Sequence, residues 1–165
     1  MVKDMPETIK VGIADLNVCR PPDMITTIGL GSCVGIAIRD KVMKVGGLVH
    51  VMLPNSQEVK SNGNAAKFAD TGIPELVKRL EKMGAVKSRM VAKIAGGATM
   101  FSFQSKSELM GIGDRNVAAT KQTLKLLGIP ILAEDTGANY GRTVTFDPET
   151  GDYEIKAVGK PLKVI

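Results

Sequence analysis

The chain has no tryptophan, four phenylalanines and two tyrosines, so aromatic residues fill only 4% of its 165 positions. A core for a chain of this length must therefore be built from Val, Ile, Leu, Met and Ala. Histidine occurs once, at His50, and cysteine twice, at Cys19 and Cys33, with no CxxC pair. That supply argues against a zinc centre, which draws its ligands chiefly from His and Cys. No apolar run reaches the roughly 18 residues of a membrane span. The opening MVKDMPETIK has no apolar stretch of the secretory kind. These absences lead us to expect a cytoplasmic protein, not inserted in the membrane, with its cysteines kept as thiols.

What is present is ordinary for a globular protein: 44% apolar and 24% charged residues. At this length residues 1–165 are expected to form one domain. The net charge is +5, but the lysines alternate with acids, as in ELVKRLEKMGAVKSR. No basic run is interleaved with aromatics, so nucleic acid is not an expected partner.

Residues Thr8 to Val18 read as one strand whose alternation changes phase at Ala14 or Asp15, as a bulge would cause. Met24 to Ile28 begin another strand, which Gly29 and Gly31 interrupt. Val34, Ile36 and Ile38 alternate, and KVGGLVHVML is apolar enough for a strand buried on both faces. A helical period runs through Ile73, Leu76, Val77, Leu80 and Met83. It is either capped by Thr71, with Pro74 in the first turn, or part of a longer kinked helix from about Ala65. A second helix is predicted with Asp114 as N-cap and Gly128 at its end. Ser88–Ala95, Ile129–Ala133, Thr143–Phe146 and Tyr153–Val158 read as further strands. Two helices and about seven strands, many of them consecutive, indicate an α+β fold.

The stretch TTIGLGSCVGIAIRD (26–40) sets a cysteine among glycines at the head of a strand. If that strand and the one ending at His50 form a hairpin turning at Lys41-Val42, Cys33 faces His50, with Cβ atoms about 5 Å apart. The turn lacks Asn-Gly chemistry, so a looser loop would move the register. An imidazole beside a thiol can take its proton and return it to a leaving group. The alternative is a buried cysteine packed beside a core histidine. The glycines allow close approach to backbone N–H groups, which suits an oxyanion hole. GLGSCV lacks the third glycine of a dinucleotide-binding turn. GIGDRN (111–116) reads as an anion site or, more simply, as a turn with an N-cap.

The segments TTIGLGSCVGIAIRD, GGLVHVMLP, AKIAGGATMF, IGDRNVAATKQTLKLLGIPI and EDTGANYGRTVTFDPETG together resemble the CheD family of chemotaxis proteins, the chemoreceptor glutamine deamidases. The resemblance implies a catalytic Cys33, His50 and Thr27, working without a cofactor. It implies a layered α/β/β sandwich with mixed and antiparallel sheets, shared with cytotoxic-necrotizing-toxin-like cysteine hydrolases. Implied partners are the cytoplasmic helices of methyl-accepting chemotaxis proteins and the CheC phosphatase. Implied activities are glutamine deamidation through a Cys thioester and, by the same acyl transfer, receptor methylesterase chemistry. A binding module that regulates CheC is the alternative, with Met100 and Phe101 as an exposed contact or as core. In an uninterrupted strand Thr27 would lie about 20 Å from Cys33. The glycines at 29 and 31 must therefore turn the chain back. Whether Thr27 would orient His50 through its hydroxyl or its carbonyl is left open by the sequence.

Overall fold

In the computed structural model, which describes residues 5–58, 63–100 and 111–165, the strands form two five-stranded sheets. The first sheet has the order β1 (Thr8–Val11), β3 (Met24–Leu30), β8 (Arg142–Phe146), β9 (Tyr153–Lys156) and β10 (Lys163–Val164). The second has β2 (Asp15–Cys19), β5 (Gly46–Val51), β4 (Val34–Asp40), β6 (Met90–Gly96) and β7 (Ile131–Thr136). Both sheets are mixed, since β1 runs parallel to β3 and β6 parallel to β7. Helices α1 (Ala69–Lys82) and α2 (Ile112–Leu127) pack on the second sheet. The architecture is an α+β sandwich in the layer order expected, α/β/β.

Strand periodicity explains the three layers. Along β4 and β5, Val34, Ile36, Ile38, Val49 and Val51 point to the helices, where they meet Ile73, Leu76 and Leu80. The intervening Ala37 and Leu48 point to the first sheet, among Ile25, Val144, Phe146 and Tyr153. Both faces are covered, which is why these strands read as near-continuous apolar runs.

Several predicted boundaries move. Thr8 to Val18 is not one bulged strand: the phase change marks a transfer from the first sheet to the second, through Ala14 at φ 56°. Helix α1 begins at Ala69, with Phe68 as N-cap, and Pro74 lies inside it. The preceding residues 65–67 form a separate 3-10 turn, and the Thr71 hydroxyl donates to Ala65 O at 2.6 Å. Helix α2 starts two residues before Asp114, with Gly111 as N-cap. Asp114 sits instead in the first turn, where a negative charge suits the positive end of the helix dipole. The short strand β10 has no counterpart in the sequence reading.

The loop between β4 and β5 is longer than the two residues predicted. Asp40 pairs with Val45 (Asp40 N–H to Val45 O, 3.0 Å), and Arg39 is opposite Gly46. The Asp40 carboxylate, wholly buried, accepts from the N–H groups of Val42 (2.8 Å), Met43 (3.1 Å) and Val86 (2.8 Å). It also accepts from Arg89 at 2.9 Å. Burial alone would raise its pKa, but the Arg89 guanidinium and the three N–H groups hold it well below the usual carboxylate range. This anchor closes a four-residue loop and so fixes the hairpin register. Asp40→Ala leaves three N–H donors and a guanidinium unpaired. It is expected to lower the unfolding free energy by about 2–4 kcal/mol, read as a lower urea midpoint with an unchanged slope.

Candidate active site

The register set by that loop is shifted by two residues from the predicted one. Gly35, not Cys33, faces His50, and the last ladder pair is Val34 with Val51. A shift of two keeps every side chain on its face, so Cys33 and His50 still point together toward the first sheet, as diagonal neighbours. On that face His50 Nε2 makes no hydrogen bond to the Cys33 thiol.

Thr27 reaches the same place from the other sheet. In β3, Ile28 and Gly29 form a bulge between the pairs Thr27–Val144 and Leu30–Arg142. Gly29 has φ +80°, a conformation costly for other residues. The chain then bends through residues 31–33 into β4 of the second sheet. This is the reversal that the glycines at 29 and 31 were required to supply. Thr27 thus stays in the first sheet, facing inward, while Cys33 begins the opposite layer.

The Thr27 hydroxyl lies 2.7 Å from His50 Nδ1 and 2.8 Å from Val11 O. A carbonyl can only accept, so the single hydroxyl proton goes to Val11. The Thr27 oxygen must then accept from His50, which places the imidazole proton on Nδ1. His50 Nε2 keeps its lone pair and is buried without a hydrogen-bond partner among the described residues. It is the hydroxyl of Thr27, and not its carbonyl, that orients the ring. The Val11 carbonyl completes this chain and had no signature in the sequence.

Burial sets the charge state. His50 and Thr27 are almost fully enclosed. Loss of solvation pushes the imidazole down to about 4, so the ring is neutral at pH 7. Cys33 is partly exposed, and burial raises its thiol pKa, opposed by its own backbone N–H. The resting pair is a neutral thiol and a neutral imidazole, not an ion pair. Cys19 is buried in the inter-sheet core with its sulfur 3.8 Å from Asp23 O.

The Cys33 segment is gripped from β6. Gly97 N–H donates to Cys33 O at 2.8 Å, and Ala98 N–H donates to Gly31 O at 2.9 Å. Gly96, at φ +112°, lies so close that a Cβ there would collide with the Cys33 carbonyl. The GGAT residues at the end of β6, next to the Met100 and Phe101 that the sequence offered as an exposed contact or as core, therefore back the cysteine. Met100 packs over Gly31 while remaining half-exposed, and Phe101 lies outside the described residues. No group of three or more His, Cys, Asp or Glu side chains gathers among the described residues in a way that could hold a metal ion. No described helix is long and apolar enough to cross a membrane.

Thr27→Val keeps the β-branched shape but leaves Nδ1 and Val11 O unpaired. Turnover is expected to fall by a factor on the order of 10 to 10³, with a stability loss of about 1–3 kcal/mol. Thr27→Ser is expected to retain most of both, measured by steady-state kinetics and denaturant titration.

The family described as "CheD chemotactic sensory transduction" matches residues 52–157. A protein of Lachnoclostridium phytofermentans is 62% identical over 161 residues, covering 98% of this chain and 100% of its own. One from Syntrophomonas wolfei is 51% identical, with the same coverage of both chains. A third, from Moorella thermoacetica, is 53% identical over 97% of this chain and 96% of its own. All three carry the name "Probable chemoreceptor glutamine deamidase CheD". The crystal structure of Bacillus licheniformis hypothetical protein YfiH aligns with a TM-score of 0.40 at 12% identity, over 70% of this chain and 47% of that one.

Proposed function

Because this chain belongs to the CheD family, we propose that it is a cytoplasmic chemoreceptor glutamine deamidase whose nucleophile is Cys33. The observation that carries this reading is the hydrogen-bonded Thr27–His50 pair, with Nε2 left free on the face that Cys33 shares. His50 Nε2 takes the thiol proton as Sγ attacks the carboxamide carbon of a glutamine side chain. The C=O oxygen gains the electron pair. As the tetrahedral species collapses, Nε2 passes its proton to the amide nitrogen, ammonia leaves and a thioester remains. Water then gives a proton to Nε2 and attacks the thioester carbon. The C–S bond breaks, the proton returns to sulfur and glutamate is released. Throughout, Thr27 holds Nδ1–H and stabilises the transient imidazolium with a neutral acceptor.

The substrate side chain sits on the cytoplasmic helices of a methyl-accepting chemotaxis protein, where each turnover exchanges a neutral amide for a carboxylate. A glutamyl methyl ester fits the same scheme, with methanol as leaving group. Regulation of the CheC phosphatase is a second reading, favoured by the half-exposed Met100 over Gly31. A partner seated there would cover the approach to Cys33, so the two roles would compete for one surface.

Incubation with a receptor cytoplasmic domain is expected to convert specific glutamines to glutamates, read by peptide mass spectrometry and ammonia release. Cys33→Ala and His50→Asn are expected to abolish conversion while circular dichroism stays unchanged. Near-parental turnover in either folded variant refutes the mechanism. Retained CheC binding by folded Cys33→Ala separates the binding role from catalysis.

A further inference from the structure

Asn116 is wholly buried in the second turn of α2. Its Nδ2 donates to Ser32 O at 2.9 Å and to Met52 O at 2.9 Å. Both partners are carbonyls, so the side-chain orientation is fixed: only the NH2 end can face them. Ser32 immediately precedes Cys33, and Met52 follows His50 by two residues. The β4–β5 ladder stops at Val34 with Val51. One amide thus joins the two chains at the step where their own pairing ends.

With this contact, three consecutive carbonyls are held. Gly31 O is bound by Ala98 N–H, Ser32 O by Asn116, and Cys33 O by Gly97 N–H. The middle one matters most. Ser32 C=O and Cys33 N–H belong to a single planar peptide unit. Gripping the oxygen therefore fixes the direction of the Cys33 N–H. The amide oxygen Oδ1 of Asn116 is buried without a partner among the described residues. Such a group carries a cost that an apolar residue of similar shape would avoid.

We propose that Asn116 is a positioning residue for the reaction, holding the Ser32–Cys33 peptide in one orientation and keeping the Cys33 segment docked to the His50 strand. This rests on the reading of Cys33 as nucleophile.

The test compares Asn116→Leu and Asn116→Asp with the parent. In the folded Leu variant kcat on receptor glutamines is expected to fall by a factor on the order of 10 to 10³, with KM within about threefold. Alkylation of Cys33 by iodoacetamide at pH 7, which needs no receptor, is expected to slow by about tenfold or more. In Asn116→Asp the carboxylate opposes two carbonyls. Acidification toward pH 5 protonates it and supplies one O–H donor, so this variant is expected to regain activity relative to Asn116→Leu. Alkylation as fast as the parent's in a folded Leu variant overturns the proposal, as does an Asp variant that tracks the Leu variant at every pH. A parent that converts no receptor glutamine would overturn the deamidase reading instead, while the alkylation comparison still decides the role of Asn116.

Discussion

The hydroxyl of Thr27 has one proton and two neighbours, and the site depends on how that proton is spent. Donated to Val11 O, it leaves an oxygen that can only accept from His50 Nδ1. The contact links β1 and β3 of one sheet to β5 of the other, so packing of the sandwich and the tautomer of the imidazole are fixed together. A buried imidazole with its proton on Nδ1 presents a base at Nε2. The opposite tautomer would present an N–H there and could not take a proton from a thiol.

The same burial makes the resting site neutral. Desolvation lowers the imidazole pKa and raises that of the thiol. A stable thiolate–imidazolium pair is thus disfavoured in the resting site. The backbone near Cys33 is held firmly: three anchored carbonyls fix the 31–33 segment. Fixed dipoles of this kind need no rearrangement when charge develops, which is the source of their catalytic value. The glycines serve this geometry in two ways. Gly29 adopts a left-handed backbone to turn the chain between sheets, and Gly96 admits the Cys33 carbonyl where a side chain would collide.

Much of this was legible in the sequence, because it follows from period and spacing. Alternation along Val34–Ile38 and the run through Val51 marked the central hairpin, and face parity put Cys33 with His50. The requirement that Gly29 and Gly31 reverse the chain came from the length of an extended strand. The register was wrong by two residues because Asp40 closes a longer loop, using Val86 and Arg89 from elsewhere in the chain. Asp40 gives no local sign of those partners. Thr8–Val18 looked like one strand because a transfer between sheets and a bulge leave the same phase change. Val11 and Asn116 were missed for a related reason. One acts through its main chain, and the other, at the end of the GIGDRN stretch, lies 83 residues from Cys33; only the packing brings them in.

His50 is the sole histidine of the chain, so its ring nitrogens can be followed by 15N NMR without assignment ambiguity. The hydrogen-bonded tautomer predicts a protonated Nδ1 and an unprotonated Nε2 from pH 8 down to pH 5, with titration only near pH 4. A proton on Nε2, or a ring that titrates near its ordinary value of 6.5, would contradict it.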